Sequence, residues 1–423
     1  MARALRITLS LLFIFLAGCS SLAPLLAQGT PTPVPVISSP QRTPATSTPE
    51  PETTETQRPA NGPRILRVWL PPQFDPNAGT ESANLLKQRL TDFEAQHPGL
   101  EIEVRIKAEE GEANILNALS VTSMAAPSAL PDLVALSRPA LEAAALKGLL
   151  HPIDGLSTTL QDPNWYGYAR QLGQIENIGY GLPFAGNVFA LVYRSDLGEF
   201  TNWEDILASK GVLAFPAGDP QGLVGLSLYI SEGGEIVNPQ GLPTLDQAVL
   251  TRLLSLIEHG LGASMLSPSL AIVGTDAQAL QLYRDRNANM VITWASNYHP
   301  VFDEKIIPLP GLDETPYSFA TGWMWSLAGS NTENQALAVE LAEYLIADEF
   351  IGEWTRASGY LPTRPSSIDG QDPTIAALVE SAKPLPSNDV LSVLGQLMQD
   401  ALIRVLNGER PAAVAASVVD SLK

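Results

Sequence analysis

The residues of this chain that are able to do chemistry are sparse and scattered. Its four histidines, His97, His151, His259 and His299, stand far apart, and His97 and His259 fall at predicted helix ends, where a capping role explains them. Forty-five acidic residues make chance carboxylate pairs such as Glu109-Glu110 uninformative. Neither a Gly-x-Ser-x-Gly nucleophile turn nor a His-Glu-x-x-His metal motif occurs. The expectation is a chain with no catalytic residues, no metal and no cofactor. What remains is chemistry of contact. Ser137-Arg138-Pro139 follows a short apolar strand, a place where a helix start binds an anion or a hydroxyl. Trp69 closes the first strand, where ligands usually meet an open α/β sheet. Trp323 and Trp325 alternate, so on a strand they share one face.

These groups need a scaffold, and the body from Ile65 onward supplies 359 residues for one. That length exceeds a single core and suits two lobes. Ile65 to Leu70 reads as a strand. A helix carrying Leu86, Leu90 and Phe93 follows and stops at His97-Pro98-Gly99. Leu100, Ile102, Val104 and Ile106 alternate with Glu101, Glu103 and Arg105, predicting a strand with one buried face. Ile115, Leu116 and Leu119 mark another helix, and Asp132 to Leu136 another strand. Later strands fall at Val188–Tyr193 and Met290–Trp294. Thr244-Leu245-Asp246-Gln247 reads as a capping box before Leu250, Leu253, Leu254 and Ile257. A helix carries Leu337, Leu341, Tyr344 and Leu345, and two amphipathic helices close the chain. Strand and helix in alternation predict an α/β fold with a parallel sheet covered on both faces.

The first 63 residues differ. Arg3 and Arg6 precede an apolar run, Ile7 to Ala17, too short to span a bilayer, which takes about 20 residues. The only cysteine, Cys19, ends Leu16-Ala17-Gly18-Cys19. This resembles the lipobox of bacterial lipoproteins, which implies cleavage before Cys19 and its acylation. About half of residues 29–63 are Pro or Thr, a composition that cannot offset its own ordering entropy. It predicts an extended tether. A formal charge of −20 argues against nucleic acid as a partner.

Several segments resemble, in order, the extracellular solute-binding proteins of ABC importers, closest to the carbohydrate-binding kind of family 1. They are Phe93-Glu94 to His97-Pro98 with the strand after it, Leu130-Pro131-Asp132-Leu133-Val134, Gly179-Tyr180-Gly181-Leu182-Pro183 with Leu191-Val192-Tyr193-Arg194, Asn202-Trp203-Glu204-Asp205-Ile206-Leu207, Gly322-Trp323 with Ser326-Leu327-Ala328, and Gly359-Tyr360-Leu361-Pro362-Thr363-Arg364. The resemblance implies a two-lobe periplasmic-binding-protein-like (type II) fold with hinge crossovers near Phe184–Asn187 and Phe319–Gly322. It sets out residues 1–18 as signal peptide, 19–63 as lipidated cysteine and tether, 64–184 with 322–356 as lobe 1, and 185–321 with 357–423 as lobe 2.

The same resemblance implies a small polar solute, a sugar or oligosaccharide, captured by lobe closure and passed to ABC permease subunits. The protein is then a monomer, held by lipid on the outer face of the cell membrane. A sugar asks for aromatic plates and planar polar groups. The candidates are Trp69, Ser137, Arg138, Asn187, Trp294, Asn297, Trp323, Trp325 and Tyr360. Core packing is the competing role for the tryptophans, a turn for Asn187 and Asn297, and a solvated charge for Arg138. An envelope lipoprotein using the fold for sensing or structure, and a non-sugar solute such as a polyamine, are the alternatives.

Overall fold

Alternating apolar residues and short capped helices build the order seen in the computed structural model, which describes residues 63–298, 303–312, 315–367 and 372–422. Cys19, the signal segment and the tether lie outside the described residues. The chain opens with β1 (Arg64–Leu70), α1 (Glu81–Gln96), β2 (Leu100–Ile106), α2 (Ile115–Ala125), β3 (Leu133–Ser137), α3 (Arg138–Leu146) and α4 (Gly167–Leu172). A small hairpin, β4 (Gln174–Ile175) and β5 (Ile178–Gly179), leads into the long β6 (Gly181–Arg194). Then come α5 (Trp203–Ala208), β7 (Leu213–Ala214), α6 (Leu223–Ser231), α7 (Gln247–Gly262), α8 (Asp276–Arg284), β8 (Met290–Trp294) and β9 (Glu304–Pro308). The chain continues through β10 (Ser318–Leu327), α9 (Thr332–Leu345), α10 (Asp348–Ser358), α11 (Pro373–Ser381), β11 (Ala382–Pro384), α12 (Asn388–Leu406) and α13 (Pro411–Asp420).

The main sheet runs β2-β1-β3-β10-β6-β8-β7, with β11 beside β10 and β9 beside β6. Its first half is parallel β2, β1 and β3, covered by α1, α2, α3, α9 and α10. Its second half holds β7, β8 and β9, with α6, α7, α8, α12 and α13. Strands β6 and β10 belong to both. The start of β6 pairs with β10 and its end with β8 and β9. The far end of β10 pairs with β3. A third segment joins them where Gly186 and Leu361 exchange backbone hydrogen bonds of 2.8 and 2.7 Å.

Glycine is required at that meeting point. A methyl group on Gly186 would overlap the Tyr168 hydroxyl, which donates to the Pro362 carbonyl at 2.8 Å. Gly322, the register partner of Gly186, would place a methyl 2.5 Å from the Ala185 carbonyl. The crossing segments therefore pack backbone to backbone.

Two local expectations need correction. Asp246, not Thr244, caps α7, accepting from Val249 N at 2.9 Å, because Leu245 is drawn into the core and keeps the chain extended. The capping box lies instead at Thr275 and Gln278, on α8. The alternation on β2 is real, but β2 is an edge strand, so Leu100, Ile102 and Val104 are half-buried and Ile106 is exposed.

Candidate functional site

Parallel strands deliver their carboxyl ends to the junction between the halves, the place where open α/β sheets bind ligands. After β1 the chain turns through Pro72–Phe74, and Phe74 meets Trp323 edge-on, centroids 5.1 Å apart. Ser137, the end of β3, is the register partner of Trp323 on β10. From the other half, Ser296 follows β8 and meets Asn187 on β6. The Asn187 amide donates to Ser296 Oγ at 2.9 Å and its carbonyl oxygen accepts from Ser296 N at 3.1 Å.

Tyr360, on the third crossing segment, sits at this junction 5.6 Å from Phe74 and nearly parallel to Trp354. Burial and then the Glu109 charge push its pKa up to about 12, against the influence of the neighbouring Trp323 indole. Desolvation raises the Glu109 carboxyl, against a 2.9 Å hydrogen bond from Gln73. Gln73, Glu109, Trp323 and Tyr360 thus form a mixed aromatic and polar surface at the ends of β1 and β2.

The aromatic candidates divide. Trp323 and Trp325 share a face, as the alternation predicts, but Phe74, Phe184 and Trp354 cover it. Trp325 stacks on Phe184 with centroids 4.4 Å apart and is 2% exposed; Trp323 is 6% exposed. Trp69 pairs in register with Val134, while Trp325 pairs with Ala135, so Trp69 lies on the opposite face of the sheet. It is buried beneath the Lys107 ammonium, 4.4 Å from the ring centroid. Trp294 is half-buried and stacks on Phe189 at 4.1 Å.

The polar candidates divide too. Asn297 spends its amide on Asp276 at 2.6 Å and Thr293 at 3.0 Å, holding the start of α8. Burial raises the Asp276 carboxyl. Ser137 is the N-cap of α3 without a side-chain cap bond. Arg138 is half-buried, and desolvation lowers its pKa against the opposing charge of Glu142. The motifs also point past Glu142, Gln73 and Asn388. The Arg138-to-Glu142 spacing of one helical turn is the only sequence signal any of the three gives. Among the described residues no cluster of His, Cys, Asp and Glu is placed to hold a metal ion. None of the described helices is long and apolar enough to cross a membrane.

Two sheet halves on through-running strands, with strand ends gathered at their junction, define a hinged, two-lobe binding protein. The chain belongs to the bacterial extracellular solute-binding protein family, whose model matches residues 88–383. Solved structures share the fold at low identity. The cyclic alpha-maltosyl-1,6-maltose binding protein of Arthrobacter globiformis aligns with TM-score 0.68 and 14% identity, over 85% of this chain and 99% of that one. Maltodextrin binding protein MalE1 of L. casei BL23, without ligand, gives 0.68 and 15%, over 86% and 98%. Maltose-bound MalE3 of T. maritima gives 0.66 and 15%, over 85% and 98%. No curated protein sequence matches the chain significantly.

Proposed function

We propose that this protein captures a sugar or oligosaccharide between its lobes and delivers it to the permease of an ABC importer. The observation that carries the reading is the hinge. Three crossing segments meet at Gly186, and the strand ends of both halves converge beside it. The maltose bound to T. maritima MalE3 and the description of L. casei MalE1 as a maltodextrin binding protein support the carbohydrate class. Ser137, Arg138, Asn187, Trp294, Trp323 and Tyr360 are the residues we assign to the cleft. Trp69, Trp325 and Asn297 shape it from behind.

Closure follows from differential contact: a solute that touches both lobes favours the form in which both reach it. Turning a 1:99 population into 99:1 takes about 5.5 kcal/mol, within reach of a few stacked rings and hydrogen bonds. The chemistry is capture without conversion, by a monomer. Acylated Cys19 holds the protein to the outer face of the membrane, and the Pro/Thr-rich segment spaces it from the surface.

A thermal-shift screen of the full chain against mono- and oligosaccharides tests this, because a ligand that binds only the folded form raises its melting temperature. A sugar that raises it, with no product formed on long incubation, supports the reading. A polyamine hit with no sugar hit, or no hit in any class, overturns the carbohydrate assignment.

A further inference from the structure

Glu142 is a buried carboxylate, 6% exposed, that the cleft assignment leaves without a role. It lies one turn after Arg138 on α3, a helix packed on β3 and β10 and on α2 in the first half. One oxygen, Oε1, accepts the backbone N–H of Asn388 at 2.8 Å. The other, Oε2, lies 3.6 Å from Arg138 Nη1, beyond hydrogen-bond length but close enough for ionic attraction. Asn388 answers with its side chain, whose amide donates to the Pro139 carbonyl at 3.0 Å.

Asn388 is the first residue of α12, and Ser387, the N-cap, makes no side-chain cap bond. Glu142 therefore does, from 246 positions away, what a capping residue does locally, and its charge suits the positive end of the helix. The helix it caps belongs to the second half. Gly395 of α12 lies so close to the Pro220–Gln221 backbone that a methyl there would come within 2.7 Å of both carbonyl oxygens. Gln399 donates to the Gly218 carbonyl at 2.6 Å. So α12 travels with α6 and α7, while its first residue is bonded to α3.

We infer that Glu142 is a positioning residue for solute capture: it caps α12 across the hinge and holds the Arg138 guanidinium, so that one carboxylate sets both the spacing of the lobes and the aim of Arg138. Its bearing on affinity rests on the solute-binding reading above; the cross-hinge cap does not.

The test uses three variants of the full chain without solute. Asn388→Pro deletes the amide donor at a first helical position that tolerates proline, after a residue already extended at ψ 154. Asn388→Ala removes only the side-chain bond. Glu142→Gln keeps an acceptor for α12 and removes the countercharge of Arg138. Amide exchange is followed in α1, α7 and the first turn of α12, with the radius of gyration from solution scattering.

Asn388→Pro is expected to speed exchange in the first turn of α12 about tenfold and to change the radius, with α1 and α7 unaffected. Asn388→Ala has a smaller effect on both. Glu142→Gln keeps α12 protected, yet weakens binding of any sugar found in the screen by about tenfold through Arg138. Unchanged exchange and radius in Asn388→Pro overturn the cross-hinge cap. Unchanged affinity in Glu142→Gln overturns the link to Arg138. Because the first readouts need no solute, an empty sugar screen is a separate failure.

Discussion

Asn187 and Ser296 grip each other twice, amide to hydroxyl at 2.9 Å and backbone N–H to amide oxygen at 3.1 Å. One residue lies on a strand common to both halves and the other just beyond the end of β8, so the pair fixes where the second lobe departs from the hinge. Asn187→Ala removes both bonds and strands the Ser296 amide. The expected cost is about 1–3 kcal/mol, read as a lower urea midpoint at an unchanged slope. A midpoint equal to that of the parent would mean that solvent replaces the grip freely.

Trp323 and Trp325 should respond differently although they share a face. Trp325 packs against Phe184 inside the core, so Trp325→Ala is expected to cost about 3–5 kcal/mol, with any loss of binding tracking loss of fold. Trp323→Phe keeps a ring beside Phe74 and deletes the indole N–H together with part of the ring beside Tyr360. It is expected to stay folded and to weaken solute binding. Calorimetric titration of both variants, beside their unfolding curves, separates the two roles. Equal affinity in Trp323→Phe and the parent would take that indole out of the site.

This division explains what the sequence carried and what it concealed. Period-two alternation placed β2, and the spacing of Trp323 and Trp325 put both on one face. Which face is open depends on Phe74 and Trp354, which arrive from other parts of the chain. Asn297 looked like a free amide at a strand end; Asp276, 21 residues earlier, consumes it. Thr244 and Asp246 both suit a helix start, and only the burial of Leu245 decides between them. Local periodicity reports local geometry. A pairing brought by the hinge, such as Glu142 with Asn388, leaves no trace in spacing.

The hinge glycine offers a test of close packing. Gly186→Ala forces its methyl into the Tyr168 hydroxyl and should cost about 1–3 kcal/mol. Tyr168→Phe loses the bond to Pro362 but opens space at the same point. The double variant is therefore expected to be more stable than the sum of the single effects allows, a coupling that a double-mutant cycle measures by chemical denaturation. Strict additivity would mean that the two groups do not meet.

Asp276 gives the molecule a specific pH signature. Burial is the chief cause of its raised pKa and the Asp219 charge adds to it, against the hydrogen bond from Asn297. The folded protein thus keeps this proton to a higher pH than the unfolded chain, whose value lies near 3.8. A raised acid stabilises the fold fully below the unfolded value and loses that contribution as pH rises through the folded one. Asp276→Asn keeps an oxygen to accept from Asn297 and removes the titration. Its unfolding free energy, measured in urea at successive pH values, should therefore fall less than that of the parent as pH climbs from 3.8 through the carboxyl range. Parallel curves for the two proteins would show that Asp276 ionises alike in both states, and that burial at the start of α8 exacts nothing from its charge.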